Sequence, residues 1–131
     1  MTMKHFYVGI KAVIVQDGKV LMLKHAQKNF WDLPGGRIDE NESIEETLQR
    51  ELHEELPSAT HVEIGSIMDA FRLPGSVDGK LGLTLLFYKV HALFPEGVAI
   101  SPEHSAYEWV SFDEAVKRGS DAIQQTVRRL S

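Results

Sequence analysis

One segment constrains the fold more than any other feature, because its apolar residues recur at every fourth position. These residues are Ile44, Leu48, Leu52 and Leu56. Such spacing places them on one face of an α-helix, and that face must pack on another layer of structure. Ser43 and Glu46 have the spacing of an N-terminal capping box, and Pro57 stops the pattern. We therefore predict an amphipathic helix of about 13 residues that begins after Ser43.

β-rich runs on both sides of this helix supply a layer on which it can pack. Residues 13–23 hold two such runs around Asp17-Gly18, a pair that accepts the positive φ angles of a type I′ turn, and so predict a hairpin. Residues 62–71 and 81–94 have the composition of further strands. Strands that precede and follow a helix in this way predict an α/β fold.

Breaker and capping residues divide the rest of the chain. Pro34-Gly35-Gly36 is expected to interrupt regular structure and to let the backbone approach a ligand closely. Ser111 and Glu114 form a second capping-box pair before a short helix that Gly119 ends, and Ser120 then caps a last helix. The C-terminal part is therefore predicted to hold two short helices.

Length and composition fit a single domain over residues 1–131, with 43% hydrophobic and 25% charged residues. The absence of cysteine excludes zinc sites built on thiolates and fits a reducing compartment. A net charge of −5 disfavours long nucleic acid as a partner. The apolar runs are far shorter than the roughly 20 residues that span a bilayer, and the N-terminus lacks an export signal. We expect a cytoplasmic protein without membrane contact.

Three acidic residues of the predicted helix do not belong to its solvent face. With Glu51 at 0° and about 100° per residue, the apolar stripe centres near 80°, whereas Glu54 and Glu55 fall at about 300° and 40°. All three carboxylates should therefore flank the buried stripe and converge on one small volume. Their repulsion must be offset by raised pKa values or by a bound cation. Carboxylate oxygens favour Mg²⁺ or Mn²⁺ over zinc.

The same segment resembles the Nudix box, in which Gly and, after five residues, Glu precede an Arg-Glu-apolar-any-Glu-Glu-any-Gly-apolar run seven residues further on. The residues in register are Gly36, Glu42, Arg50, Glu51, Leu52, Glu54 and Glu55. Pro57 and Ser58 replace the final Gly and apolar residue, which affects the turn after the helix rather than the carboxylates. Residues 31–36 and 107–111 are also similar to the family, so the likeness covers nearly the whole chain.

This resemblance implies an α/β/α sandwich with a mixed β-sheet and divalent-metal-dependent hydrolysis of nucleoside diphosphate-linked compounds. By position it implies that Mg²⁺, or Mn²⁺ in its place, is held by carboxylates and one backbone carbonyl. The implied metal ligands are Gly36, Glu51, Glu54 and Glu55. Arg50 would orient the glutamates by ion pairing. Glu103 lies where some members carry a further ligand or general base, so both Glu54 and Glu103 are candidate catalytic bases.

Candidate substrate-binding residues lie outside the helix. Lys24, Arg37 and Arg72 carry cationic groups that can contact phosphate. Trp31 and Phe71, like Tyr7 and Phe30, can stack on a base, although such aromatic residues also fill cores.

The histidines of the chain have neither the i, i+4 pairing nor the clustering of a zinc site, and ordinary surface or interface roles are expected. They are His5, His25, His53, His61, His91 and His104.

Three functional interpretations follow. A Nudix-like pyrophosphohydrolase acting on a (deoxy)nucleoside triphosphate is the first, with nucleoside monophosphate and pyrophosphate as products. An ADP-ribose or nucleotide-sugar pyrophosphatase is the second, because Pro74 lies about where such members carry a proline, although its Leu-Pro-Gly setting is equally typical of a turn. The third is a nucleotide-sensing module that binds without cleavage, which the retained glutamates disfavour. Residues 5–15 and 81–94 are hypothetical edge strands for homodimer pairing.

Overall fold

The computed structural model describes residues 3–130, and within them the chain forms seven strands and three helices. In chain order the elements are β1 (Phe6–Gln16), β2 (Lys19–His25), β3 (Trp31–Asp32), β4 (Gly35–Arg37), α1 (Ile44–Glu55), β5 (Thr60–Arg72), β6 (Gly82–Leu93), β7 (His104–Ser111), α2 (Phe112–Arg118) and α3 (Asp121–Arg128). Among these helices none is long and apolar enough to cross a membrane.

The strands form one mixed sheet in the order β3-β2-β1-β6-β5, with β4 paired to β1 and β7 paired to β2. The long strands β1 and β6 run parallel at its centre, from the Phe6–Gly82 pair to the Ile14–Val90 pair. The hypothesis that residues 5–15 and 81–94 are edges is therefore wrong. Their backbone groups are already used on both sides, so they are not available to pair with a second copy.

Side chains alternate between two core clusters along each central strand, so both faces of the sheet are apolar. Helices cover both of these faces. On one face Leu48, Leu52 and Leu56 of the α1 segment pack with Ile14 and other sheet residues. On the other face the helices α2 and α3 pack against neighbouring strand residues such as Val13. Each fully buried aliphatic side chain of this kind contributes about 1.5–3 kcal/mol. The predicted α/β/α sandwich with a mixed sheet is confirmed.

The helix α1 begins and ends close to the predicted positions. The Glu46 amide donates to Ser43 Oγ over 3.1 Å, and the Ser43 amide donates to Glu46 Oε1 over 3.0 Å, which completes the capping box. Leu56 is the C-cap, and its amide still donates to the Leu52 carbonyl. Pro57 follows directly, where its missing N–H cannot continue the helix.

Pro34 lies at the break between β3 and β4, as expected, but Gly35 and Gly36 do not interrupt regular structure. Residues 35–37 form β4, which pairs with β1 through Ile10 and its neighbours. A Cβ on Gly35, whose φ is +145°, would overlap the Ile10 carbonyl oxygen, so only glycine permits this close pairing. The backbone beside β1 is thus a short strand that passes directly under α1.

The C-terminal region holds one strand more than the sequence predicted. The strand β7 presents mostly polar side chains, and within it only Val110 is buried, so it lacks a clear apolar alternation. The two helices predicted for this region are present, with one correction to the cap of α2. Ser111 Oγ accepts from the Glu114 amide, but the Glu114 carboxylate accepts from Arg118 at 2.8 Å instead of closing the capping box. Ser120 caps α3 as predicted.

Candidate active site

The last turn of α1 places a carboxylate inside the protein. The Glu55 side chain is 6% exposed, and its Oε2 accepts a hydrogen bond of 2.8 Å from the Gly35 amide. A distant loop is tied to the same turn, because the Ser101 amide donates to the Glu55 carbonyl over 3.2 Å. The Ala26 amide donates to the Glu103 carbonyl over 2.9 Å, which holds that loop on β2 as well. Residues from β4, α1 and the 101–104 loop therefore meet at one place.

Glu51 lies one turn earlier and packs directly on Gly36. A Cβ on Gly36 would overlap the Glu51 carboxyl group, so the absence of a side chain in β4 makes room for this acid. The Glu51 side chain is 16% exposed, and its Oε1 accepts 2.7 Å from Arg50 Nη1. Gly36 and Glu51 are thus neighbours, as the predicted ligand set requires.

Arg50 is the cationic centre of this helix, and its main partner lies before the helix begins. Glu46, four residues earlier, is engaged in the capping box, whereas Arg50 Nε and Nη2 donate to the two oxygens of Glu42 at 2.6 and 2.8 Å. This bidentate geometry is the strong form of a guanidinium–carboxylate pair. Hydrogen bonds from Arg50, and lesser ones from Thr47 and the Asp39 amide, lower the pKa of Glu42 to about 2. Glu42 therefore holds Arg50 beside Glu51.

Glu54 does not join the other two glutamates in the interior. Its side chain is 59% exposed, and its nearest cation is Arg50 Nη1 at 3.8 Å. The expectation that three carboxylates of the helix converge in one small volume is therefore only partly met. Glu55 is buried, Glu51 is half-buried, and Glu54 lies at the solvent side of the group.

The acids that are buried here have unfavourable electrostatics when no cation is present. Burial raises the pKa of Glu55 to about 8, despite the Gly35 hydrogen bond and the field of Lys11. Burial also raises the pKa of Glu51 against the effect of Arg50, and the charges of Glu54 and Glu103 add to this. A divalent cation would remove the repulsion between these acids. Their oxygens are the donors that Mg²⁺ and Mn²⁺ accept, so the residues present fit such an ion.

His104 is the residue that sequence reasoning missed. One ligand atom each of Glu55, Glu103 and His104 lies within 4.8 Å of the other two. The His104 side chain is 8% exposed, and its Nε2 lies 3.6 Å from Glu55 Oε1. The expectation of a surface position is wrong for this histidine, because its side chain is buried. A polar residue directly after a candidate ligand was the available signal, but nothing local indicated its burial.

The predicted substrate-binding residues lie outside this group of acids, and Trp31 and Phe71 pack on the α2–α3 face of the sheet. The Arg37 guanidinium stacks on the Tyr7 ring at 4.2 Å, and that of Arg72 stacks on Phe6 at 4.9 Å. Lys24 is paired with Trp31 across β2 and β3, and the Trp31 ring lies 4.8 Å from the Arg118 guanidinium. Phe71 packs against the core and lines an apolar pocket beside α3.

Comparison with known proteins identifies the class of protein. The NUDIX domain family matches residues 3–130. The CTP pyrophosphohydrolase of Escherichia coli strain K12 is 28% identical over 112 residues, which are 82% of this chain and 78% of that protein. The nucleoside triphosphatase NudI of Klebsiella pneumoniae strain 342 is 32% identical over 112 residues, which are 78% and 79% of the two chains.

A solved structure agrees with this assignment at the level of the fold. The MutT protein from Methanosarcina mazei Go1 superimposes with a TM-score of 0.81 at 22% identity, over 98% of this chain and 95% of that one. The chain therefore belongs to the Nudix family and is a Nudix-type hydrolase. The alternative of a sensing module without catalysis is not supported.

Proposed function

We propose that this enzyme hydrolyses a (deoxy)nucleoside triphosphate to the nucleoside monophosphate and pyrophosphate, with a divalent metal ion. The observation that carries the proposal is the carboxylate of Glu55, which is buried and lacks a cation within hydrogen-bond distance among residues 3–130. Glu51 adds a second half-buried acid with a raised pKa. A helix that keeps two such acids beside a glycine-rich strand is stabilised by a hard dication that comes with, or before, an anionic substrate.

The ion would be held by the carboxylates of Glu51, Glu54 and Glu55, with the Gly36 carbonyl and Glu103 as further oxygen donors. When bound, Mg²⁺ or Mn²⁺ neutralises diphosphate oxygens and lowers the pKa of a water molecule.

The chain's own residues orient and deprotonate that water. Arg50, fixed by Glu42, positions Glu51. As water adds to phosphorus, the bond to the pyrophosphate oxygen breaks and the water loses a proton. Glu54, which reaches solvent, is our first candidate to accept this proton, and Glu103 is the second.

The substrate class rests on the relatives. Two proteins that align with most of this chain are named a CTP pyrophosphohydrolase and a nucleoside triphosphatase, which favours a nucleoside triphosphate here. We assign phosphate contacts to Lys24, Arg37 and Arg72, and base stacking to Trp31 and Phe71. The guanidinium groups of Arg37 and Arg72 already lie on aromatic rings at the protein surface, which restricts their motion and favours bidentate phosphate contacts.

The test is a substrate panel with wild type, Glu54→Gln and the control Glu45→Gln, which changes an exposed acid in the first turn of the same helix. Nucleoside triphosphates, dinucleoside polyphosphates and nucleotide sugars are supplied with Mg²⁺, and products are identified by chromatography. We expect wild type and Glu45→Gln to release pyrophosphate from a triphosphate. Glu54→Gln should be inactive but should melt like wild type, because the Glu54 side chain is 59% exposed.

Undiminished hydrolysis by Glu54→Gln would remove Glu54 from the mechanism. Comparison with Glu103→Gln then decides which acid accepts the proton. If no triphosphate is cleaved while a nucleotide sugar is, the proposed substrate class is wrong.

A further inference from the structure

His104 is a buried imidazole beside two acids. Its Nδ1 is shielded from solvent and has no hydrogen-bond partner, and its Nε2 is 3.6 Å from Glu55 Oε1, which is longer than a hydrogen bond. A buried polar atom without a partner costs about 1–3 kcal/mol, so such an atom needs an explanation.

The neighbouring histidine does not supply the missing partner. The His25 ring lies 6.2 Å from the His104 ring in an edge arrangement, and it also stacks on Phe30 at 5.3 Å. The Nδ1 of His25 already accepts from the amides of Gln27 and Lys28 at 3.2 and 3.1 Å. His25 is thus committed to its own loop, and it contributes packing to His104.

Backbone hydrogen bonds and the strand register fix the position of His104. Its amide donates to the Ser101 carbonyl over 3.1 Å, and the Ser101 amide donates in turn to the carbonyl of Glu55. The pairing of β2 with β7 shifts register between Lys24 and His25, directly opposite His104. Register shifts of this kind re-aim side chains and are frequent beside functional sites. The shift and the loop together direct His104 toward the glutamates.

We propose that His104 is a nitrogen ligand of the metal site, together with Glu55 and Glu103, and that it makes the site selective for Mn²⁺ over Mg²⁺. This inference rests on the proposed metal-dependent function. The three side chains offer two oxygens and one nitrogen within 4.8 Å of one another. Imidazole nitrogen is a ligand for first-row transition metals, and among these Mn²⁺ is the one that also suits carboxylate oxygens, whereas Mg²⁺ prefers oxygen donors and retains its waters.

The first test detects the bond itself and uses the wild-type protein with Mn²⁺ alone. Electron spin-echo envelope modulation of the bound Mn²⁺ should contain a ¹⁴N coupling of directly bound imidazole. Protein labelled with ¹⁵N at histidine should lose that ¹⁴N signal and show the ¹⁵N coupling instead. This measurement needs no substitution, so it does not depend on whether a variant folds.

The second test measures affinity in His104→Gln, with His53→Gln as the matched control. His53 is exposed on α1, so the same chemical change there leaves the site untouched. Free Mn²⁺ is titrated by electron paramagnetic resonance, and Mg²⁺ is measured by competition. We expect His104→Gln to bind Mn²⁺ about tenfold more weakly with little change for Mg²⁺, because even outer-sphere substitutions cost about 10–100-fold. The ¹⁴N coupling should vanish in this variant and persist in His53→Gln.

The outcomes separate this inference from the proposed function. Mn²⁺ that binds without a nitrogen coupling, while Mg²⁺-dependent hydrolysis proceeds, overturns the role of His104 alone. Equal Mn²⁺ affinity in wild type and His104→Gln does the same. Wild-type protein that takes up neither Mn²⁺ nor Mg²⁺ and is inactive with both would overturn the metal-dependent function as well.

Discussion

Glu55 and Asp69 are both buried carboxylates, and they lie on opposite faces of the sheet. Asp69 projects from β5 toward α3, where its Oδ2 accepts from Gln125 at 3.0 Å, from Thr126 at 3.2 Å and from Arg129 Nε at 3.0 Å. Burial alone would raise the pKa of Asp69, but these hydrogen bonds and one from the Ala70 amide outweigh it, and the pKa is lowered. Glu55 accepts one backbone hydrogen bond, and burial dominates its pKa.

The difference between them teaches how to distinguish a structural acid from a functional one. Side chains in and next to α3 donate hydrogen bonds to the Asp69 carboxylate, so its charge holds α3 on the sheet. Glu55 has the same kind of group and a similar burial, but Lys11, whose charge lowers the pKa of Glu55, donates its hydrogen bond to Asp32 at 2.9 Å instead. A buried acid that the fold leaves without a cationic partner is a candidate for a functional role.

Glu55→Gln should give the largest effect. Hydrolysis of a triphosphate with Mg²⁺ should fall by roughly a thousandfold if Glu55 is an anionic ligand of the proposed metal site. The free energy of unfolding of the metal-free protein at pH 8 should stay equal or rise, because Gln keeps an acceptor for the Gly35 amide without a buried charge. Steady-state kinetics and urea unfolding check both results. A variant that keeps its turnover would place Glu55 with Asp69 as a structural acid.

Asp69→Asn should show the reverse pattern. We expect unfolding to become easier by about 1–3 kcal/mol, because the charged hydrogen-bond acceptor of three side chains is lost. The kcat of triphosphate hydrolysis should be unchanged at a temperature where the variant is folded. Asp17→Asn, the same change in the exposed hairpin turn, is the control for stability. A lower kcat in Asp69→Asn would mean that the α3 face of the sheet also affects hydrolysis on the α1 face.

The pH dependence of stability provides the smallest and finest test. The pKa of Glu55 is raised from 4.5 to about 8 in the folded state, so between these values the folded protein binds a proton that the unfolded chain has lost. The metal-free protein should lose stability as pH rises through this window, by at most about 1.4 kcal/mol per pH unit. The contribution of Asp69, whose pKa is lowered from 3.8, should be lost only as pH falls below that value.

The contribution of each group is measured as the difference between unfolding curves of wild type and of the variant across pH. This subtraction removes the titration of groups that do not interact with Glu55, whereas Glu51, whose charge acts on Glu55, contributes to the difference as well. A difference curve for Glu55→Gln that is flat from pH 4.5 to 8 would contradict the raised pKa.

Local patterns predicted the elements well. The period of apolar residues and the Ser43 cap gave α1 almost to the residue, and Asp17-Gly18 gave the β1–β2 hairpin, because both signals depend only on neighbours in sequence. The strand β7 was missed, since its half-exposed surface carries little apolar alternation. Short strands such as β4 form because β1 offers hydrogen bonds, which the sequence of residues 35–37 cannot show.

Sequence reasoning named the acids of the candidate site but predicted their arrangement only partly. A helical wheel gives directions and does not show what covers a side chain. Thr47 and Glu54 lie at nearly the same angle, yet Thr47 is buried and donates to Glu42, whereas Glu54 is exposed. The pairing of Arg50 with Glu42 depends on how the loop before α1 lies along the helix, since the two residues are eight positions apart. The burial of His104 depends on a register shift between distant strands.

The hydrogen bonds that tie Ala26 to Glu103 and Ser101 to Glu55 also bear on how this protein reaches its native state. A peptide covering residues 36–56 would carry every residue that matches the Nudix box and still lack the 101–104 loop. Glu55, Glu103 and His104 come together only when the last strand, β7, has joined the sheet, so an ion held by them would bind the folded protein and not incomplete chains.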